Sequence, residues 1–280
     1  MTYDPREIAR VRNPVLLLSA AAWIWLLVDP GGLMMQAHCA ATVFGGLPLP
    51  ASLPMLLAMN PPASLAAGWG LMLVAMMSPA LILPIGHLRL RSFKRRRARA
   101  IVLFVAGYAA IWMAVGGVLL AGALAVGLLA PNSYLPAAGV TLLAIVWQLS
   151  PVKQRCLNRC HAHTELAAFG VAADLDALRF GASHGVWCAG SCWALMLSSM
   201  LLPRGHVAAM ALVAVLTFSE RLEYPRPPRW RWRGLGKVSR IAVAQARIRL
   251  QALQRHPAAG CAGVGVEGPR PPVRAARLPK

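Results

Sequence analysis

Residues 87–99 read HLRLRSFKRRRAR, seven basic side chains and no acid. The apolar run 65–86 precedes them and the apolar run 100–121 follows. On a soluble face so dense a basic block would suit nucleic acid; between two membrane spans it marks a cytoplasmic loop. The flanks decide. Each is long enough to cross a hydrocarbon core, which takes roughly 20 mostly apolar residues.

Working outward, four more runs of this kind lie near 13–29, 134–150, 186–202 and 206–222. The chain is 58% hydrophobic and only 14% charged, against about 25% charged in a typical soluble domain. Its net charge of +20 is therefore held in blocks rather than spread. The N-terminus has Arg6, Arg10 and Arg12; the segment 29–64 has no Lys or Arg; the segment 122–133 has none either. The segment 151–185 carries Lys153, Arg155, Arg159 and Arg179, and the hairpin 203–206 has only Arg204. This alternation predicts both termini in the cytoplasm. The fold class expected is all-α, a polytopic transmembrane bundle of about six spans. The first run is read as retained, because DPGGLMMQAHCA (29–40) makes a poor signal-peptide cleavage site.

Three regions follow: a cytoplasmic N-terminus 1–12, a transmembrane domain 13–222 and a basic tail 223–280. Within the tail, YPRPPRWRWRGLGK (224–237) suits an anionic headgroup layer. The stretch 238–256 can form a basic amphipathic helix on a membrane surface, and the Pro/Gly/Arg-rich end predicts disorder. No specific nucleic-acid partner is expected, since a positive-inside tail accounts for the arginines.

Four of the six cysteines form two matched pairs, CLNRC (156–160) and CAGSC (188–192). On a helix, residues four apart share a face. Both pairs fall at the predicted cytoplasmic ends of their spans, so Cys156, Cys160, Cys188 and Cys192 can meet. Cytosolic thiols stay reduced, which disfavours structural disulfides. Clustered reduced thiols suit Cu(I) or Zn²⁺. His184 lies one turn before Cys188, and His163 shares a face with Cys156 and Cys160 if that segment is helical. Met196 continues the Cys188–Cys192 face, and Met76 stands on the second span; thioethers favour Cu(I) over Zn²⁺. A lone buried cysteine is more often a small hydrophobe, and methionines in apolar helices are more often packing than ligands. His38 and Cys39 form a weaker candidate entry site, and Cys261 in the tail carries no expected role. Glu220, at the end of the sixth run, is expected to bridge to Lys153 or Arg155.

The stretches GWGLMLVAMMSPA (68–80), GYAAIWMAVG (107–116), WQLSPVKQRCLNRC (147–160) and FGASHGVWCAGSCWALML (180–197) resemble an uncharacterised bacterial family of predicted metal-binding integral membrane proteins. That resemblance implies a multi-pass protein of the bacterial inner membrane with metal held by Cys156, Cys160, Cys188 and Cys192. The chain departs from the family pattern at Ser191, where a second cysteine often stands beside Cys192. It departs again after Glu220, where another apolar segment is expected.

The leading expectation is a membrane protein that binds a thiophilic metal at its cytoplasmic face, copper before zinc, in metal homeostasis or insertion. Its partners are the lipid bilayer, the metal ion and another metal-handling or membrane protein. Two other readings stand beside it. One is a membrane thiol oxidoreductase, whose usual C-x-x-C signature is absent here; the other is a non-catalytic subunit whose cysteines only support packing. No nucleophile–base pair or cofactor fingerprint points to an enzyme.

Overall fold

The computed structural model describes residues 5–28, 61–130, 133–162, 164–202, 205–231 and 236–255. Every regular element among them is helical: α1 (Pro5–Val28), α2 (Pro62–Met77), α3 (Ile82–Arg91), α4 (Arg97–Leu129), α5 (Leu135–Leu149), α6 (Pro151–Cys160), α7 (Gly170–Met200), α8 (His206–Arg221) and α9 (Gly236–Arg255). The expectations placed on His38, Cys39, His163, Arg204 and Cys261 fall outside the described residues.

Two proline breaks shape the bundle. Between α2 and α3, Ser78–Pro79 starts a 3-10 turn over Ser78–Leu81. Proline has no N–H to give to the carbonyl four residues back. That carbonyl, of Ala75, is taken instead by the buried Ser19 hydroxyl of α1 at 2.6 Å. Between α5 and α6, Ser150–Pro151 bends the path by 67°. Ser150 is the N-cap of α6, its hydroxyl accepting the Lys153 N–H at 3.2 Å, and Pro151 occupies a first-turn position where its missing N–H costs nothing. The freed Leu149 carbonyl accepts the Arg231 N–H at 3.2 Å.

The spine of the fold is α4 against α7. A β-carbon on Gly181 would run into the Phe104 carbonyl oxygen, and one on Gly107 into that of Leu178. Together with Gly185, one turn on, these small residues let the two backbones touch, as in small-xxx-small membrane helix pairs. Asp174, near the start of α7, holds Arg96 at 2.6 Å and Arg99 at 2.7 Å, tying the basic block to that end. At the other end, Gly205 takes a left-handed φ of 77° to start α8, a conformation that costs glycine nothing.

Three stretches among the described residues are long and apolar enough to cross a membrane: Ile8–Val28, Pro62–Arg91 and Lys94–Val126. The bent pair α5–α6 makes a fourth if it counts as one span. Hydropathy alone predicts six. The difference lies in the last two runs. α7 carries buried polar groups, including His184, Ser191 and Ser199, which lower its apolarity. α8 has 16 residues, about 24 Å of helix against a hydrocarbon core of about 30 Å.

The chain divides into two compact units, Met1–Val238 and Ser239–Lys280. In the first, residues 223–231 are held by α5 and α6 through Arg231 and through a reciprocal pair. The Asn158 amide donates to the Arg226 carbonyl at 2.7 Å, and the Arg226 N–H donates to Asn158 Oδ1 at 3.2 Å. In the second, the described residues are the greater part of α9, where Arg240, Arg247 and Arg249 are exposed beside exposed Ile241, Val243 and Ile248.

Candidate metal centre

Cys188 and Cys192 lie mid-way along α7, 0% and 1% exposed. The close α4–α7 contact sets Tyr108 and Trp112, four apart on one face of α4, against them. The Tyr108 hydroxyl is 3.2 Å from the Cys188 sulfur. Trp112 is buried beside Tyr108 and is itself fixed, its carbonyl accepting the Trp69 indole N–H at 2.9 Å. Gly116 makes room for the Trp69 ring, which a β-carbon there would strike. The two thiols interact with each other. The Cys192 thiol donates to the Cys188 carbonyl at 3.2 Å, and Ser191 donates to the same carbonyl at 2.7 Å.

The bend at Ser150–Pro151 aims α6 along α7. Cys156 and Cys160 then share the face turned to α7, and both are buried. Gly190, between the two α7 cysteines, has no side chain, and the Cys156 sulfur sits 3.0 Å from where its β-carbon would stand. The Gly190 carbonyl accepts the Trp147 indole N–H at 3.0 Å, so α5 is fixed to the same point. Cys160 interacts with both Cys156 and Cys188. All four cysteines are free thiols.

A charged layer lies beside them. Lys153 and Glu220 form an ion pair at 2.8 Å with both side chains almost fully buried. Gln148 joins the two, donating to Glu220 and accepting from Lys153. Of the two cations expected for Glu220, the structure selects Lys153. Arg221, the next residue, goes elsewhere. Its guanidinium group is half-buried and lies within electrostatic reach of Cys160, Cys188, Cys192 and Tyr108. The Arg221 carbonyl is 3.0 Å from His161 Nε2, just past Cys160.

The structure thus buries Cys156, Cys160, Cys188 and Cys192 where α6 packs on α7. Among the described residues, however, no three His, Cys, Asp or Glu side chains are grouped tightly enough to hold a metal ion. His184 is buried among the rings of Phe104, Tyr108 and Phe180. Met76 and Met196, 5% and 1% exposed, belong to the same buried cluster as Cys188 and Cys192. Sequence reasoning missed Tyr108, Trp112, Arg221 and Gly190. The Tyr108–Trp112 spacing carried a signal. So did an arginine held between acids in SERLE (219–223), since an arginine at a span end needs a partner.

A family model described as PpoB2, copper chaperone, matches residues 66–244. The match takes in all four clustered cysteines and runs past Glu220, where the resemblance seen in the sequence had faded. No curated protein and no solved structure matches the chain.

Proposed function

Given that the chain belongs to the PpoB2 copper chaperone family, we propose that it is a multi-pass membrane protein that carries Cu(I) on its clustered cysteines. The observation that carries this reading is the side-by-side burial of two free thiols, Cys188 and Cys192, with Cys160 and Cys156 facing them from α6. Cu(I) prefers soft thiolate and thioether ligands and is satisfied by two of them. Zn²⁺ in a structural site takes four. Copper is the cargo. Cys188 and Cys192 supply the first pair, Cys160 and Cys156 the thiols that exchange with it, and Met196 and Met76 softer ligands further along the bundle. His184, buried beside Tyr108, and His163 are candidate accessory ligands.

The membrane reading is supported by apolar side chains that face outward. Leu17, Trp25, Val102, Val118, Leu142 and Leu212 are all more than half exposed. Exposed apolar side chains in such number favour a membrane or protein-interaction surface over free contact with water. We propose that α7 and α8 complete six crossings with both termini in the cytoplasm of a bacterial inner membrane, the polar side of α7 facing the bundle. Reporter fusions check the sidedness: Arg96 should read cytoplasmic and Asn132 outside, and the reverse at either refutes it.

The copper reading is tested on detergent-purified protein by anaerobic Cu(I) titration against a chromogenic chelator. Wild type should take copper from the chelator, and Cys188→Ser and Cys192→Ser should each lose most of that affinity while remaining folded. Undiminished copper uptake in the Cys188→Ser/Cys192→Ser double variant would refute the assignment.

A further inference from the structure

The basic tail takes no part in the copper reading, yet it forms a helix whose described side chains are all exposed. α9 runs Gly236–Arg255 and carries Lys237, Arg240, Arg247, Arg249 and Arg255 with no acid. Its large apolar side chains Ile241, Val243, Ile248 and Leu250 are 47–64% exposed. A helix of 20 residues gains little stability from propensity alone, and in proteins it is held mainly by packing of one face. Here the apolar side chains stay open to the surroundings. Their arrangement says what would fit. Positions seven apart differ by only about 20° around a helix. Arg240 and Arg247 therefore form one row, with Ile241 and Ile248 in a row on one flank and Val243 and Leu250 in a row on the other. An occupant must accept positive charge and apolar side chains at the same time. The phosphates of a nucleic acid meet the first need only. A leaflet with anionic headgroups meets both: guanidinium groups reach the phosphates while their stems and the branched side chains enter the acyl boundary.

We propose that α9 docks on an anionic lipid surface, and that this surface is the membrane its own bundle spans. The chain before it has the same chemistry. Tyr224 and Trp230 are exposed, and so are Arg229 and Arg231 on either side of Trp230. Aromatic rings with adjacent cations suit headgroup depth. The Arg231 N–H is bound to the Leu149 carbonyl at the end of α5, and Gly236 follows five positions on, a reach of at most about 18 Å. So short a tether keeps the start of α9 at high effective concentration beside whatever membrane holds α5. Charge draws the helix to the surface, and burial of the isoleucine, valine and leucine side chains holds it there.

This inference rests on the membrane reading, not on the copper reading, and the experiment separates the two failures. Full-length protein is placed in nanodiscs of phosphatidylcholine alone or of phosphatidylcholine with added phosphatidylglycerol. Amide hydrogen exchange along α9 is the readout. Exchange should slow by on the order of tenfold or more in the anionic discs, since each basic side chain near such a surface is worth roughly fivefold in affinity. Salt at ~1 M, which screens charges beyond about 3 Å, should remove most of that protection. Arg240→Gln/Arg247→Gln/Arg249→Gln should lose it at low salt, and Ile241→Ser/Ile248→Ser/Leu250→Ser should weaken it. Equal exchange of α9 in the two lipids overturns the inference while leaving the membrane reading intact. Protection unchanged in either triple variant overturns it as well. So does stronger protection by a short DNA duplex than by phosphatidylglycerol, which would make nucleic acid the partner. Protein that stays soluble without detergent and does not enter the discs overturns the membrane reading and this inference together.

Discussion

At the scale of single residues, Lys153 and Glu220 are the most exacting feature. Both side chains are essentially out of water, and their 2.8 Å contact is completed by Gln148. Removing one member of such a pair leaves the other charge buried alone, at a cost of about 3–5 kcal/mol. Glu220→Gln should therefore lower stability to denaturant by that order, with copper content per folded molecule unchanged. Replacing both partners by apolar residues should recover much of the loss, because the stranded charge is then gone. A Glu220→Gln protein of wild-type stability but without copper would make Glu220 a ligand instead. This pair was legible in the sequence as an acid at one span end and cations at another. The choice of Lys153 over Arg155 was not. It depends on the Ser150–Pro151 bend, which turns Lys153 inward and leaves Arg155 exposed.

Among elements, the contact that positions the site is α4 against α7. It depends on glycines whose role only the packing reveals. Gly181 has backbone of α4 where its β-carbon would be, while Gly190 has only the end of the Cys156 side chain there. Backbone cannot retreat, and a thiol can. Gly181→Ala should thus push the two helices apart and cost about 1–3 kcal/mol or more, as overpacking does. Gly190→Ala should cost visibly less, because Cys156 can shift by a few tenths of an ångström. Unfolding of the two variants side by side checks the order, and equal losses would contradict the packing described. The helices themselves were readable from hydropathy, since α1, the α2–α3 stretch and α4 coincide with the first three apolar runs. The lengths were not. Hydropathy marked 186–202 as the fifth run, whereas α7 begins at Gly170, because its first turns are polar and are held by Asp174 and the basic block.

For the molecule as a whole, the sequence pattern of paired thiols foretold a shared face, and α6 and α7 do place their cysteines towards one another. It did not foretell the companions. Tyr108 comes from α4, far from Cys188 in the chain, and only the assembled bundle sets its hydroxyl 3.2 Å from that sulfur. The central claim is that these buried thiols carry copper as Cu(I). X-ray absorption at the copper edge, on protein loaded anaerobically with one equivalent of copper, tests this most directly. The account predicts the edge of monovalent copper and a first shell of sulfur alone, low in coordination number, lost when Cys188 and Cys192 are both changed to serine. A shell of nitrogen and oxygen, or a sulfur shell that survives in that double variant, would contradict it.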